Sequence, residues 1–161
     1  MKCVRKLCFI SCAILLFSCN AEPEKYLIAR GFTGRVNIIF NQKDGSPVKY
    51  DNKARVYDIP SNGLLLTQFT KNDGYINRKY FLKEDNGQLM PLKKFDADEM
   101  EKATPALKNE TGIYLDGISG VYGNNIPYQE FIVSSYSGLH NYYTKGYMDS
   151  FDVKVREAIG H

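Results

Sequence analysis

Beyond residue 19 the chain has no cysteine, and nowhere does it have a tryptophan. All four cysteines, Cys3, Cys8, Cys12 and Cys19, crowd into the first nineteen residues. A domain that begins after them has neither a disulfide nor a thiolate metal site. Histidine is nearly as scarce, with only His140 and His161, which excludes a multi-histidine metal centre. An excess of one charge sign is missing as well. Of the 21 basic residues, Lys2, Arg5 and Lys6 precede Cys19, where no acidic residue falls, so 18 basic residues face 18 acidic ones afterwards. Nucleic-acid binding runs on clustered Lys and Arg that displace counterions from phosphates, and a neutral chain excludes it. Long apolar runs are absent too. The longest, Leu7 to Phe17, is about 11 residues, and at roughly 1.5 Å per residue it covers about half of a ~30 Å hydrocarbon core.

That run, preceded by the basic start and followed by Leu16-Phe17-Ser18-Cys19, has the layout of a cleaved export signal. The four closing residues resemble the lipobox of bacterial lipoproteins, although Phe17 is bulkier than the residue usual at its position. The resemblance implies that residues 1–18 are removed and that Cys19 becomes the lipidated first residue. The plain alternative is an ordinary signal peptide cut near Ala21. Two or more acyl chains anchor stably, at about 0.8 kcal/mol per buried CH₂, so the expected partner is a bacterial membrane held through Cys19. Residues 19–25 then read as a short solvated tether, which reaches at most about 20 Å. Residues 26–161 read as a single domain, large enough to bury roughly 68 to 70% of its unfolded surface.

Within the domain the grammar is that of strands. Val36, Ile38 and Phe40 share one face by the period of two, and Lys43-Asp44-Gly45-Ser46-Pro47 marks a turn toward a return strand at Val48 to Tyr50. Arg55 to Ile59, Leu64 to Phe69 and Tyr75 to Leu82 continue the pattern between Ser61-Asn62-Gly63, Lys71-Asn72-Asp73-Gly74 and Glu84-Asp85-Asn86-Gly87. Turns at this spacing predict an antiparallel sandwich or flattened barrel. Asp96 reads as the cap of a short middle helix stopped by Pro105, and the glycine-rich Asn109 to Asn125 as a twisted or bulged hairpin. Tyr128 to Tyr136 reads as a strand buried on both faces. In the tail Met148, Phe151, Val155, Ala158 and Ile159 fit a helical face better than a strand, with Gly160 as the stop. The expected class is mainly β, with α+β at the margin, carrying a short middle helix and a C-terminal helix.

From Tyr26 to Phe69 the succession Tyr-Leu-Ile, Gly-Phe-Thr-Gly, Val-Asn-Ile-Ile-Phe, Arg-Val-Tyr-Asp-Ile-Pro and Asn-Gly-Leu-Leu resembles an uncharacterised domain family of small bacterial lipoproteins. Ala29 stands where that family leads one to expect proline. The resemblance implies an anchored β-rich domain and no catalytic residue.

Chemistry is thinly signalled. Ser134 and Ser135 with His140 and an acid such as Asp149 would make a nucleophile group, but the Gly-x-Ser-x-Gly elbow is missing. Asp96, Asp98, Glu99 and Glu101 lack the spacing of a calcium loop, and Gly31-Phe32-Thr33-Gly34 lacks the lysine of a phosphate loop; no cofactor is implied. Arg55 could hold a ligand carboxylate or phosphate, or pair internally with Asp58 or Asp51. Tyrosine is the one excess, at twelve. Tyr136, Tyr142, Tyr143 and Tyr147 gather beside His140 and Asn141 as a candidate contact surface for an envelope protein or glycan.

The leading reading is a lipid-anchored, non-catalytic binding or accessory module of the cell envelope. An immunity or inhibitor lipoprotein facing a toxin or lytic enzyme is the second, and an envelope hydrolase the third. Because the anchor rests on one atom, Cys19→Ser is expected to leave the exported protein in the soluble fraction, with the unaltered protein in membranes and acyl mass on its N-terminal peptide. Soluble, unmodified wild-type protein would remove the anchor.

Overall fold

The structure, a computed structural model, describes residues 21–160. The chain repeatedly steps between two sheets. In the first sheet lie β1 (Glu24–Ala29), β3 (Tyr50–Asp51), β4 (Ala54–Ile59), β6 (Arg78–Lys83) and β7 (Leu89–Leu92), in the order β3-β4-β1-β6-β7. The second holds β2 (Gly34–Ile39), β5 (Leu64–Leu66), β8 (Gly112–Tyr122) and β9 (Ile126–Ser134), in the order β5-β2-β9-β8. Among the described residues four α-helices follow or interrupt the strands: α1 (Ala97–Glu101), α2 (Pro105–Lys108), α3 (Tyr136–Leu139) and α4 (Lys145–Ile159). The fold is α+β and mostly β, with a C-terminal helix.

The expectation of a purely antiparallel arrangement is corrected. β1 runs parallel to both of its neighbours, β4 and β6, and β2 runs parallel to β5. The physical reason is the alternation itself. Each time the chain leaves the first sheet it runs through a strand of the second before returning, so β4 and β6 come back parallel to β1 without a helical crossover, the two-residue β3 alone running the other way. The turn at Lys43 to Pro47 therefore closes no hairpin with β2. Ser46 bridges to Thr67 and the short β3 pairs with β4. Likewise Ser61-Asn62-Gly63 carries the chain from β4 into the other sheet. Gly63 has φ +76, and a Cβ there would lie 2.2 Å from the Arg35 carbonyl oxygen, so only glycine lets this crossing press against β2. The Asn86-Gly87 turn does close a hairpin, β6 with β7, and β8 with β9 form another.

The middle and the tail follow their local signals. The Asp96 side chain caps α1 by accepting from the backbone N–H of Asp98 and Glu99. Pro105, expected as a stop, instead occupies the first turn of α2, where its missing N–H costs nothing. In α4, Phe151 and Val155 are buried, Ala158 and Ile159 are half-buried, and Gly160 ends the helix in the left-handed region.

Between the sheets, Val36, Ile38 and Phe40 meet Ile28, Tyr57, Ile59, Phe131 and Val133. At its centre three parallel strands in register place Tyr57, Tyr26 and Tyr80 side by side. Tyr26 stacks on Tyr57 at 5.0 Å and on Tyr80 at 4.7 Å, with Phe131 edge-on at 5.4 Å. Its hydroxyl donates to the buried Glu24 carboxylate and accepts from Gln129 Nε2 at 2.9 Å. Arg78 closes the network with Nε 3.2 Å from Glu24 Oε2 and Nη2 3.3 Å from Gln129 Oε1. Tyr80 donates to Asp116 Oδ1 at 2.5 Å. β1 therefore begins at Glu24, inside the stretch expected to be solvated tether.

Burial, followed by the Glu24 carboxylate, raises the Tyr26 phenol well above its ordinary value. Burial also raises Tyr57 and Tyr80, and pushes Tyr122 up to about 12. A phenol raised in the folded state stabilises fully below its ordinary pKa of about 10, and that contribution is lost as pH climbs beyond it. Thermal stability is thus expected to hold to about pH 10 and fall between about 10 and 12. Tyr26→Phe should flatten that fall while costing about 1–3 kcal/mol at neutral pH. Phenolate absorbance showing every tyrosine ionising near pH 10 in the folded protein would contradict the ladder.

Candidate functional site

The outer face of the second sheet is set by alternation. With Val36 and Ile38 inward, Arg35, Asn37 and Ile39 point outward on β2, and on β9 Glu130 and Ile132 do so beside the inward Phe131. α4 covers the part of this face around Ile39 and Leu64 with Phe151 and Val155. Tyr147 stitches helix to sheet by accepting from the Arg35 backbone N–H at 3.0 Å, which satisfies a donor beyond the reach of β5. Thr144 caps the helix by accepting from Tyr147 N.

Next to α4 the cover is incomplete and a cleft of about 160 Å³ opens. Ile132 and Phe131 contribute to its sheet side, Tyr142, Tyr143 and Met148 form one wall, and Leu115 and Ile118 the other. That second wall depends on a bulge. The β8–β9 register jumps between Tyr114 and Ile118, Leu115 adopts φ +55 and Gly117 φ +97. In an unbroken strand Leu115 and Ile118, three residues apart, would face opposite ways; the bulge lets both line one recess.

The polar corner of the cleft is internally neutralised. Arg35 Nη2 donates to both Glu130 oxygens at 3.0 and 2.8 Å, and the two side chains are 14% and 15% exposed. The guanidinium also lies 5.4 Å from the Phe151 ring centre. Its charge is thus balanced by Glu130, and Arg35 presents no net positive charge to an anion. The remaining lining is apolar, and a cavity of about 150 Å³ with such walls takes a benzene ring. The site is thus suited to one apolar side chain, and no acid, base and nucleophile converge in it.

The tyrosine-rich tail divides. Tyr142 and Tyr143 line the cleft, while Tyr136 and His140 border a second, shallower recess with Lys108 and share Tyr143 with the first. Tyr147 is spent on Arg35, and Asn141 is exposed, its carbonyl accepting from Thr144 Oγ1 at 3.1 Å. Arg55 lies on the other sheet and pairs internally, with Glu22 and the Thr70 carbonyl and not with Asp51 or Asp58. Asp51 is held by Lys25, and Asp58 by Lys49 and Lys83. Ser134 is buried and donates to the Ser135 carbonyl, Ser135 caps α3, and Asp149 pairs with Lys145. Among the described residues no hydrogen bond joins His140 to either serine, so the nucleophile group is not assembled. Cys19 lies outside the described residues. Arg35, Glu130, Leu115 and Ile118 carried no sequence signal as site residues, since their meeting depends on the early strand β2 pairing with the late β8–β9 hairpin and on the bulge in β8.

Residues 20–142 match the family of unknown function DUF6843. The chain belongs to that family. The matched span opens one residue after Cys19 and closes at Tyr142, so Tyr143, Met148 and the rest of α4 lie beyond it. No curated protein matches the chain. Among solved structures it is similar to the crystal structure of "Putative Lipoprotein from Bacillus anthracis", with a TM-score of 0.52, 16% identity and 70% of each chain covered. At that identity the likeness is one of fold. The resemblance to small bacterial lipoproteins carrying an uncharacterised domain, read from Tyr26 to Phe69, agrees with both findings.

A largely buried ion pair makes a specific prediction for DUF6843 stability in this chain. Arg35→Met alone, by leaving Glu130 unpaired, is expected to cost about 3 kcal/mol, whereas Arg35→Met combined with Glu130→Leu should lose much less. Urea denaturation of the two variants checks this; equal losses would mean that the pair does not shape the cleft.

Proposed function

We propose that this DUF6843 protein is a lipid-anchored, non-catalytic binding module whose cleft captures a protein partner by one aromatic or branched aliphatic side chain. The observation that carries the reading is the composition of the cleft: apolar walls around a polar corner that is already self-paired. A glycan would need several donors and acceptors beside its stacking surface, and here the two charged groups, Arg35 and Glu130, already pair with each other in a lining that is otherwise mostly apolar. An inserted side chain needs only volume and exclusion of water, and a cleft of about 160 Å³ supplies both.

The rim supports the same partner class. Tyr143 is 46% exposed, and Ile118 and Met148 are each 38% exposed, so three large apolar side chains surround the opening. Anchor pockets ringed by contacts that exclude water are where protein interfaces concentrate their energy. The Cys19 lipid would hold the module at the envelope, and the fold likeness to a lipoprotein-named structure is compatible with that placement.

Photo-cross-linking in cells, from a reactive residue substituted at Tyr143 or at Ile118, tests the reading. One protein is expected to be trapped from both positions, with the linked peptide bearing an exposed aromatic or branched aliphatic residue. Replacing that residue by alanine, or Met148→Ala in this chain, should weaken the complex about tenfold or more. A toxin or lytic enzyme as that protein would specialise the module as an inhibitor. Cross-links scattered over many proteins, or found only on glycan, would overturn the proposal.

A further inference from the structure

The stretch that follows Cys19 is much shorter as a free tether than its sequence suggests. Glu22 is held from two sides, by Arg55 Nε at 2.5 Å from its carboxylate and by Asn72 Nδ2 at 2.7 Å from its carbonyl. The Arg55 backbone N–H then donates to the Pro23 carbonyl at 2.8 Å, and Glu24 N to the Asn77 carbonyl at 3.0 Å. From Glu22 onward the chain is therefore part of the domain. Only three peptide steps separate it from Cys19, a reach of about 10 Å at full extension. A headgroup layer is itself roughly 5–8 Å thick, given a bilayer of 40–45 Å around a core of about 30 Å. A lipid on Cys19 would thus hold this end of the sandwich in or against the headgroups.

What the fold displays there suits that position. The loop between β5 and β6 folds back beside the chain start, since a Cβ on Gly74 would lie 4.0 Å from Ala21 Cβ. The next residue, Tyr75, is 89% exposed, the most exposed large apolar side chain in the domain. On the other side of Glu22 stands Tyr50, 51% exposed, with its hydroxyl 3.4 Å from the Glu22 carboxylate. Lys53 lies exposed in the β3–β4 turn. The acids at this end are each met by a cation: Glu22 by Arg55, Asp73 by Lys71 and Asp51 by Lys25. Tyrosine is enriched at the membrane–water boundary because its ring is apolar and its tip polar, and a neutralised face with a free lysine meets anionic headgroups without repulsion.

We propose that Tyr75, Tyr50 and Lys53 form a membrane-contact face around the lipid-bearing chain start, with the Tyr75 ring seated at headgroup level. This rests on the lipidation of Cys19 proposed above. The face fixes the orientation of the domain as well as its distance. The cleft opens on the outer face of the second sheet, whereas Glu24 and Tyr50 belong to the first, so it stays open to a partner.

The absence of tryptophan provides the test. Full-length chain carrying Tyr75→Trp, and separately Tyr143→Trp, is produced in bacteria, its Cys19 modification is read by mass spectrometry, and it is reconstituted into phosphatidylcholine–phosphatidylglycerol vesicles with a headgroup-proximal quencher. The indole at position 75 should show a blue shift and roughly twofold quenching, as expected for an interfacial aromatic, and the indole at position 143 neither. Lipidated protein whose indole at position 75 stays unquenched would overturn the contact face while leaving the anchor intact. Protein without lipid on Cys19 would overturn both.

Discussion

A carboxylate buried at the start of a central strand constrains this fold more than any other single group. Glu24 lies within the first sheet, and a buried charge is tolerated only with a partner and with its lone pairs satisfied. Arg78 and the hydroxyls of Tyr26 and Tyr57 supply these. Arg78 stands opposite Glu24 on β6, and Arg55 opposite it on β4. A slip of one residue would turn the side chains of β1 to the wrong face and separate Glu24 from Arg78. The same register aligns Tyr57, Tyr26 and Tyr80 into a stack that spans three strands. Charge pairing and aromatic packing therefore enforce one alignment between them.

From that alignment the rest of the architecture is placed. β1 can have parallel neighbours on both sides because the chain spends its crossings in the second sheet, and the second sheet is thereby split among strands distant in sequence. β9 takes the centre beside β2 and is buried on both faces, Phe131 and Val133 against the first sheet and Ile132 toward α3. α4, of 15 residues, is about 22 Å long and covers only part of the outer face. The uncovered remainder, shaped by the β8 bulge and the short helical turn at His140–Tyr143, is the cleft.

Polar groups follow two different economies in this molecule. In the core, Glu24, Arg78, Gln129, Tyr26, Tyr80 and Asp116 are linked to one another, which makes the interior specific and costly to disturb. At the cleft, Arg35 and Glu130 use the same device on a smaller scale and so leave a recess whose remaining chemistry is apolar. At the chain start, Arg55 and Asn72 draw residues 22–24 into the domain and shorten the link to Cys19. Each of these bears on what the domain can meet: the core fixes shape, the cleft presents apolar walls, and the chain is part of the domain from Glu22 onward.

Features with short-range causes were determined by the sequence alone. The period of two on β2 and β9, the Asp96 cap, the Asn86-Gly87 hairpin, the helical face from Phe151 to Ile159 and the Gly160 stop all follow from neighbours within a few positions, where propensity and burial act directly. The lipobox resemblance around Cys19 is equally local, and it lies outside the described residues. Strand direction was decided only by tertiary structure, because a turn of Asp-Gly type reads the same whether the chain doubles back or crosses to another sheet. So was the division of tyrosines: periodicity places Tyr26, Tyr57 and Tyr80 in strands, yet only strand order makes them a ladder. The cleft belongs to the same class. Arg35 and Glu130 are 95 positions apart, and no spacing rule connects residues whose meeting depends on which strand pairs with which.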